Sequence, residues 1–185
     1  MEDKSKVKNK INGFTLIETL VSIMMVSIAF LGIYSATAKY SQQTKQLKDT
    51  YVASLLGQEG IEIVRNIRDK NWLTSVSPDL PNPDFSNGLT GYSCSATPLS
   101  TEGAEANYDD TGLSAYNSAH YLYILGGNSF YKYLASPGAS DVKTNYRRQI
   151  CIDSGTANEL HVAVYIYWTG GKQTVVKEDL YNWKW

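Results

Sequence analysis

The sequence contains only two cysteines, two histidines and five prolines among its 185 residues. Two cysteines are too few for a disulfide-rich scaffold, and no Cys-x-x-Cys spacing indicates a zinc site. The motifs of serine hydrolases, zinc proteases, phosphate-binding loops and dinucleotide-binding folds are also missing. We therefore predict no catalytic residues, no cofactor, no metal and no small-molecule substrate, and we do not expect an enzyme.

The chain also lacks an excess of charge of either sign, since its formal net charge is −1. Without a basic excess, binding to nucleic acid has no electrostatic support. The composition excludes a polytopic membrane protein, a collagen and a highly charged disordered chain. The average nevertheless conceals three parts, because residues 1–13 carry a net charge of +2, residues 14–38 carry −1 and residues 39–185 carry −2.

Residues 14–38 form an apolar run of 25 residues with one ionisable side chain, Glu18. As a helix rising roughly 1.5 Å per residue, the run would span about 37 Å, which is enough to cross a bilayer. The first proline of the chain is Pro78, so no proline breaks this helix. The lysines of residues 1–13 predict a cytoplasmic leader, with everything after residue 38 on the outer side of the membrane.

Three interpretations of this N-terminus compete. The small-x-small pattern Ala36-Thr37-Ala38 is typical of a signal-peptide cleavage site, and cleavage there would release a secreted domain. An uncleaved signal anchor would instead keep the domain on the membrane. The third interpretation depends on the junction between the leader and the apolar run, at residues 13–18.

This junction reads Gly-Phe-Thr-Leu-Ile-Glu, after a short lysine-rich leader and at the start of an apolar helix. It resembles the N-terminus of type IV prepilins and pseudopilins. The resemblance implies that a prepilin peptidase cleaves between Gly13 and Phe14 and that the new N-terminus, Phe14, is N-methylated. It also implies that Glu18 is the acidic residue used in subunit assembly.

The position of Glu18 indicates a function independently of the resemblance. A carboxylate within an apolar membrane segment costs about 2.5–3.5 kcal/mol on insertion scales, so it predicts a functional partner. After cleavage, the nearest candidate is the α-amine of Phe14, because an α-amine is mostly charged at neutral pH. Stabilisation of the helix N-terminus by a negative charge is the simpler alternative.

Residues 39–76 are more polar but keep a helical pattern, so we predict that the helix continues through them. The apolar residues that recur at helical spacing include Leu47, Tyr51 and Leu55. Gly57 and Gly60 each weaken a helix by about 1 kcal/mol relative to alanine. They either allow a bend or close packing, or are simply tolerated.

Residues 53–69 also resemble minor pilins and pseudopilins of the kind that modify or initiate filaments. A simpler explanation is an amphipathic helix whose charged side chains lie on the solvated face. That explanation would cover Glu59, Glu62, Arg65 and Arg68.

Residues 77–119 are rich in proline, glycine, serine and asparagine, and they predict a long variable loop. Some related pseudopilins hold calcium in the head, and Asp109-Asp110 could contribute to such a site. The required ligand spacing is not evident, so we predict no metal here.

Residues 120–185 predict an antiparallel sheet. The clearest strand covers residues 159–168, and Thr169–Lys172 predicts a tight turn into the next strand. The apolar face of that strand comprises Leu160, Val162, Val164, Ile166 and Trp168. Packing of this face on the helix gives an α+β fold. The C-terminal run also resembles the last strands of minor pilins.

Three kinds of side chain in the head have more than one possible role. Cys94 and Cys151 could form a disulfide outside the cytoplasm or remain two free thiols. His120 and His161 are expected in strands, in structural roles. Tyr residues suit half-buried strands, although Tyr165 and Tyr167, beside His161, could instead line a subunit contact or an adhesive surface.

The sequence thus predicts a minor pilin or pseudopilin subunit, stored as a single-pass membrane protein with an extracytoplasmic head. Its expected partners are the inner membrane, prepilin peptidase, other pilin or pseudopilin subunits and the assembly platform. The expected product is a type IV pilus or a type II secretion or competence pseudopilus. The alternative is a secreted or membrane-anchored, adhesin-like binding domain.

Overall fold

The computed structural model describes residues 13–74, 85–94, 101–156 and 158–182. The predicted leader therefore lies outside the described residues, except for Gly13. A single helix, α1, runs from Leu16 to Thr74. The chain divides into two compact units, which comprise residues 1–47 and 48–185.

In the first unit, α1 has no buried side chain between residues 16 and 47. Its apolar residues cover the whole circumference, and their exposed fractions reach 82% at Leu16. The helix is long and apolar enough to cross a membrane by its length and composition. Such a surface has to be covered by lipid or by other protein chains.

The second unit contains a five-stranded antiparallel sheet in the order β2-β1-β6-β7-β8. The strand bounds are Ala104–Glu105 for β1, Ser114–Ala115 for β2, Arg147–Thr156 for β6, Glu159–Trp168 for β7 and Lys172–Tyr181 for β8. The β7–β8 turn contains Gly170 and Gly171, both with positive φ (83° and 69°). Three residues, Thr169 to Gly171, connect the paired ends Trp168 and Lys172, and glycine adopts the two positive φ values without strain.

A smaller antiparallel sheet has the order β4-β3-β5. Its strands are Leu122–Ile124 for β3, Tyr131–Tyr133 for β4 and Val142–Lys143 for β5. Leu122 is fully buried, and its carbonyl oxygen accepts hydrogen bonds from the backbone and the hydroxyl of Thr144. The central strand of the small sheet therefore begins at a buried residue.

The core of the second unit lies between the last part of α1 and the large sheet. It contains Ala53, Leu56, Val64 and Ile67 from the helix, and Ile150, Ile152, Leu160, Val162, Val164 and Ile166 from β6 and β7. Gly57 and Gly60 allow the closest approach. A Cβ at Gly57 would lie 2.6 Å from Val176 Cγ2, and one at Gly60 would lie 2.7 Å from Val164 Cγ1. Close packing is thus the reason for both glycines.

The predicted α+β fold is confirmed, with the helix on antiparallel sheets. The predicted apolar face of β7 is also confirmed, since its five residues are at most 8% exposed. Three details differ. Residues 77–119 contain the short strands β1 and β2, the sequence analysis did not predict β4 and β5, and His120 lies outside the strands. Strands of two or three residues are too short for side-chain alternation to reveal them.

Candidate functional site

The junction between leader and helix is formed by Gly13, Phe14 and Thr15, which precede the first turn of α1. The carbonyl oxygen of Thr15 accepts backbone hydrogen bonds from Glu18 and Thr19, at 3.1 and 3.2 Å. The Thr15 Oγ1 also accepts a longer bond from the Glu18 backbone N–H, at 3.4 Å. Thr15 is therefore the N-cap, and the sequence Thr-x-x-Glu matches the capping pattern. The sequence analysis missed this role, although the spacing could have revealed it.

Gly13 is not required by packing against any described residue. A Cβ at this position would find no atom within 4 Å in the described part of the chain. Phe14 is 75% exposed. Packing against the described residues therefore does not explain why glycine and phenylalanine occupy these two positions.

The Glu18 carboxylate has no hydrogen-bond or ion-pair partner among the described residues, and the side chain is exposed. The hydroxyls around it are different. Ser22 donates to the Glu18 carbonyl oxygen at 2.7 Å, and Thr19 donates to the Leu16 carbonyl oxygen at 2.8 Å. Ser27 and Thr37 make equivalent bonds four residues back. Such bonds satisfy hydroxyls within the helix itself, as lipid requires, whereas the carboxylate still needs an external partner.

The structure joins Cys94 and Cys151 in a disulfide, with a Cα–Cα distance of 5.4 Å. The backbone N–H of Ile152 donates to the Tyr92 carbonyl oxygen at 3.0 Å, so the segment before Cys94 lies along β6. Gly103 has φ of 88°, and a Cβ there would lie 2.7 Å from Cys94 Sγ. The sequence analysis did not identify the need for this glycine beside the disulfide.

The charged side chains of residues 53–69 are not simply solvated. Glu59 is 3.5 Å from the fully buried Arg148, Arg65 pairs with Glu62 and Glu178, and Arg68 is only 8% exposed. Arg148 also donates to the carbonyl oxygens of Ala106 and Leu56, at 2.7 and 3.4 Å. The amphipathic explanation is therefore wrong for Glu59 and Arg68, because both face partners within the second unit.

Asp109 and Asp110 do not converge on a cation site. Asp109 pairs with Lys132 at 2.6 Å, and this hydrogen bond lowers the pKa of the Asp109 carboxyl. Asp110 accepts a bond from the Asn107 backbone N–H at 2.7 Å. Both carboxylates thus serve contacts within the head.

The tyrosine and histidine predictions have mixed outcomes. Tyr167 is 4% exposed and donates to Gln149 Oε1 at 2.8 Å, so it does not line a surface. Tyr165 is half-buried and stacks on the Tyr167 ring. His120 contacts Glu105 at 2.8 Å. The expectation of an adhesive tyrosine pair is therefore wrong for Tyr167.

One group in the described residues brings together side chains that could bind a metal. Glu159, His161 and Asp179 each place a ligand atom within 4.8 Å of the others. His161 Nδ1 is already 2.7 Å from Asp179 Oδ1, and this hydrogen bond raises the pKa of His161. Since the imidazole has a partner in the chain, we assign no metal to this group.

Compared with known families, residues 8–34 match the prokaryotic N-terminal methylation motif. No curated protein sequence and no solved structure matches the chain. The motif is the signature of type IV pilins, a structural class of proteins, and it supports processing of this chain by prepilin peptidase. It also fits a single-pass membrane protein that later joins other pilin subunits. The chain therefore carries the N-terminal methylation signature of type IV pilins, and this signature continues into the start of its long helix.

Proposed function

We propose that the chain is a minor pilin or pseudopilin, which is cleaved between Gly13 and Phe14 and N-methylated at Phe14. The observation that supports this most strongly is the position of the motif. The motif lies at the junction between the leader and a capped helix. The apolar side chains of this helix are exposed around its whole circumference. The leader remains cytoplasmic and the head lies outside, as the lysines of the leader favour.

Glu18 is the assembly residue in this proposal. Its carboxylate has no partner among the described residues, and it lies one helical turn from Phe14. Cleavage creates a positive α-amine at Phe14. A pair between Glu18 of one subunit and the Phe14 amine of the next would neutralise both charges in an apolar environment, and it would fix the axial register of a filament.

Mass spectrometry of the native N-terminus tests the processing step. Methylated Phe14 is the expected terminus. A terminus at Lys39 would indicate signal-peptide secretion of an adhesin-like domain, and an intact Met1 would indicate a plain anchor. A Gly13→Val variant should stay unprocessed, whereas Gly32→Val should be processed normally. The two variants are matched, because neither glycine has a described atom within 4 Å of its Cβ position.

Substitution of Glu18 tests the assembly step. Glu18→Ala should insert in the membrane and be cleaved, but it should not enter filaments. Glu18→Gln is the matched control for size, and it should fail in the same way because the charge is what pairs with the amine. Normal incorporation of either variant into filaments would refute the role of Glu18.

A further inference from the structure

Charge is distributed unevenly along the large sheet of the head. Four basic residues lie near the end where β6 begins and β7 ends, namely Lys48, Lys143, Arg147 and Lys172. Lys48 and Lys143 line one hollow with Trp168, Arg147 lines a second hollow with Trp168, and Lys172 pairs with Trp168 across the strands. We call these four residues the basic pole.

The side chains of the basic pole are only partly used within the head. Lys143 Nζ lies 4.2 Å from the centre of the Tyr121 ring, and Arg147 Cζ lies 5.3 Å from the same ring. Arg147 also donates to the Ser118 carbonyl oxygen at 2.8 Å. The acidic group nearby, Asp49, accepts a hydrogen bond from the Tyr146 hydroxyl at 3.3 Å. The basic pole therefore keeps a net positive charge.

At the other end of the sheet, Asp153, Glu159 and Asp179 surround His161. Asp153 and Asp179 are the cross-strand neighbours of His161 on β6 and β8, and Glu159 is two residues away on the same face of β7. We call these three carboxylates the acidic pole. Lys177 lies two residues before Asp179, and with His161 it offsets only part of this charge.

The two poles belong to one sheet, and the distance between them exceeds the Debye length at physiological ionic strength. The ten residues of β7 span about 30 Å at 3.3 Å per residue. The Debye length at physiological ionic strength is about 8 Å, so the poles do not neutralise each other. Each therefore presents a net charge to any molecule that approaches that end of the head within about a Debye length.

We propose that the basic pole of one head binds the acidic pole of a second copy of this chain, in a head-to-tail contact. The inference rests on the proposed function, in which subunits of the same kind assemble side by side. Complementary charge favours this arrangement, while an antiparallel pair would bring like charges together. A contact between two different surfaces of the same protein propagates into a filament when it does not close into a ring.

Cysteine cross-linking tests the geometry directly. The native cysteines are both in the disulfide. In the full-length chain with Lys172→Cys and Asp153→Cys together, filaments oxidised under mild conditions should give a ladder of disulfide-linked multimers. Either substitution alone should give no ladder. Dimers from the single variants, or no ladder from the double variant in intact filaments, would overturn the head-to-tail contact.

Charge reversal tests the energetics. Lys143→Glu with Lys172→Glu should reduce the filament-incorporated fraction about tenfold, because like charges then meet at the contact. The control, Lys70→Glu with Lys132→Glu, changes the net charge equally but leaves both poles intact, so it should assemble normally. Co-expression of the first variant with Asp153→Lys, Asp179→Lys should restore incorporation, since unlike poles again meet.

Unimpaired assembly of the basic-pole variant, an equal loss in the control, or no rescue by the complementary variant would each contradict the proposal. The Phe14 terminus of each variant is measured in parallel. If methyl-Phe14 is present and charge reversal has no effect, only the head-to-tail contact is refuted. If methyl-Phe14 is absent from the unmodified protein, the proposed function itself is refuted.

Discussion

The two parts of α1 differ in whether their apolar and charged side chains find partners within the chain. Residues 16–47 bury no side chain, and their one carboxylate, Glu18, has no partner among the described residues. Residues 48–74 bury Ala53, Leu56, Val64 and Ile67 against the sheet. Several of their charged side chains have partners as well, as in the pair between Glu59 and Arg148. The second part is therefore completed by folding, whereas the first part can be completed only by lipid or other subunits.

This difference separates stability from assembly. Substitutions in residues 48–74 or in the sheet should change the free energy of unfolding of the head. Substitutions in residues 16–47 should leave the head unchanged and act on membrane insertion or filament formation. The following predictions test that separation, with the free energy measured by denaturant unfolding of the full chain in detergent.

The disulfide should have the largest effect. Replacing Cys94 and Cys151 by serine removes a cross-link between residues separated by 57 positions, and it should lower the free energy of unfolding by about 4 kcal/mol in the chain-entropy model. Processing at Phe14 should persist, because that site belongs to the first unit. Loss of N-terminal cleavage together with head stability would show that the two parts are coupled.

Arg148→Ala should have the next largest effect, about 3 kcal/mol. The substitution leaves the Ala106 carbonyl oxygen without its 2.7 Å hydrogen bond and opens a cavity at a fully buried position. Glu59 also loses a partner, although it is partly exposed and can be solvated. Glu18→Ala is the matched variant in the first part of α1. It should leave the unfolding free energy of the head within about 0.5 kcal/mol of wild type, as exposed positions usually do.

Glycine substitutions give the closest comparison between the two parts of the helix. Gly60→Ala places a Cβ 2.7 Å from Val164 Cγ1 and 2.9 Å from Arg148 Cδ. Overpacking costs about 1–3 kcal/mol, and the better helix propensity of alanine offsets about 1 kcal/mol, so a net loss of about 1 kcal/mol is expected. Gly32→Ala meets no atom within 4 Å and should cause no loss. A head stabilised by Gly60→Ala would contradict the close-packing explanation.

The regular elements could be predicted from the sequence because their patterns are long. The helix and the strand β7 repeat their apolar spacing over many residues, and Gly170-Gly171 marks the hairpin turn. The N-terminal site was equally accessible, because six contiguous residues carry the motif and nothing distant in the chain is needed to read it.

The remaining features depend on contacts between residues far apart in the sequence. The alternation of side chains in β6 predicts that Arg148 shares the apolar face with Ile150. It does not predict that Arg148 pairs with Glu59 on the helix. The Cys94–Cys151 pair depends on how an irregular segment lies along β6, which the Tyr92–Ile152 hydrogen bond determines. Periodicity carries no information about such contacts, so both could only be left open.

A change in pH should give the smallest effect, and it should arise in the head. Asp179 raises the pKa of His161 above its usual 6.5, so the pair stabilises the head fully below pH 6.5, and this contribution is lost as the pH rises through the raised pKa. His161→Gln should flatten the pH dependence of unfolding in that window, and Asp179→Asn should flatten it to a similar extent, because the hydrogen bond between them is the main cause of the shift. The described residues of the first unit contain no histidine, so Glu18→Gln should leave this slope unchanged. An unaltered slope in His161→Gln would show that other groups cause the pH dependence, whereas a changed slope in Glu18→Gln would show that the two parts of the helix are not independent.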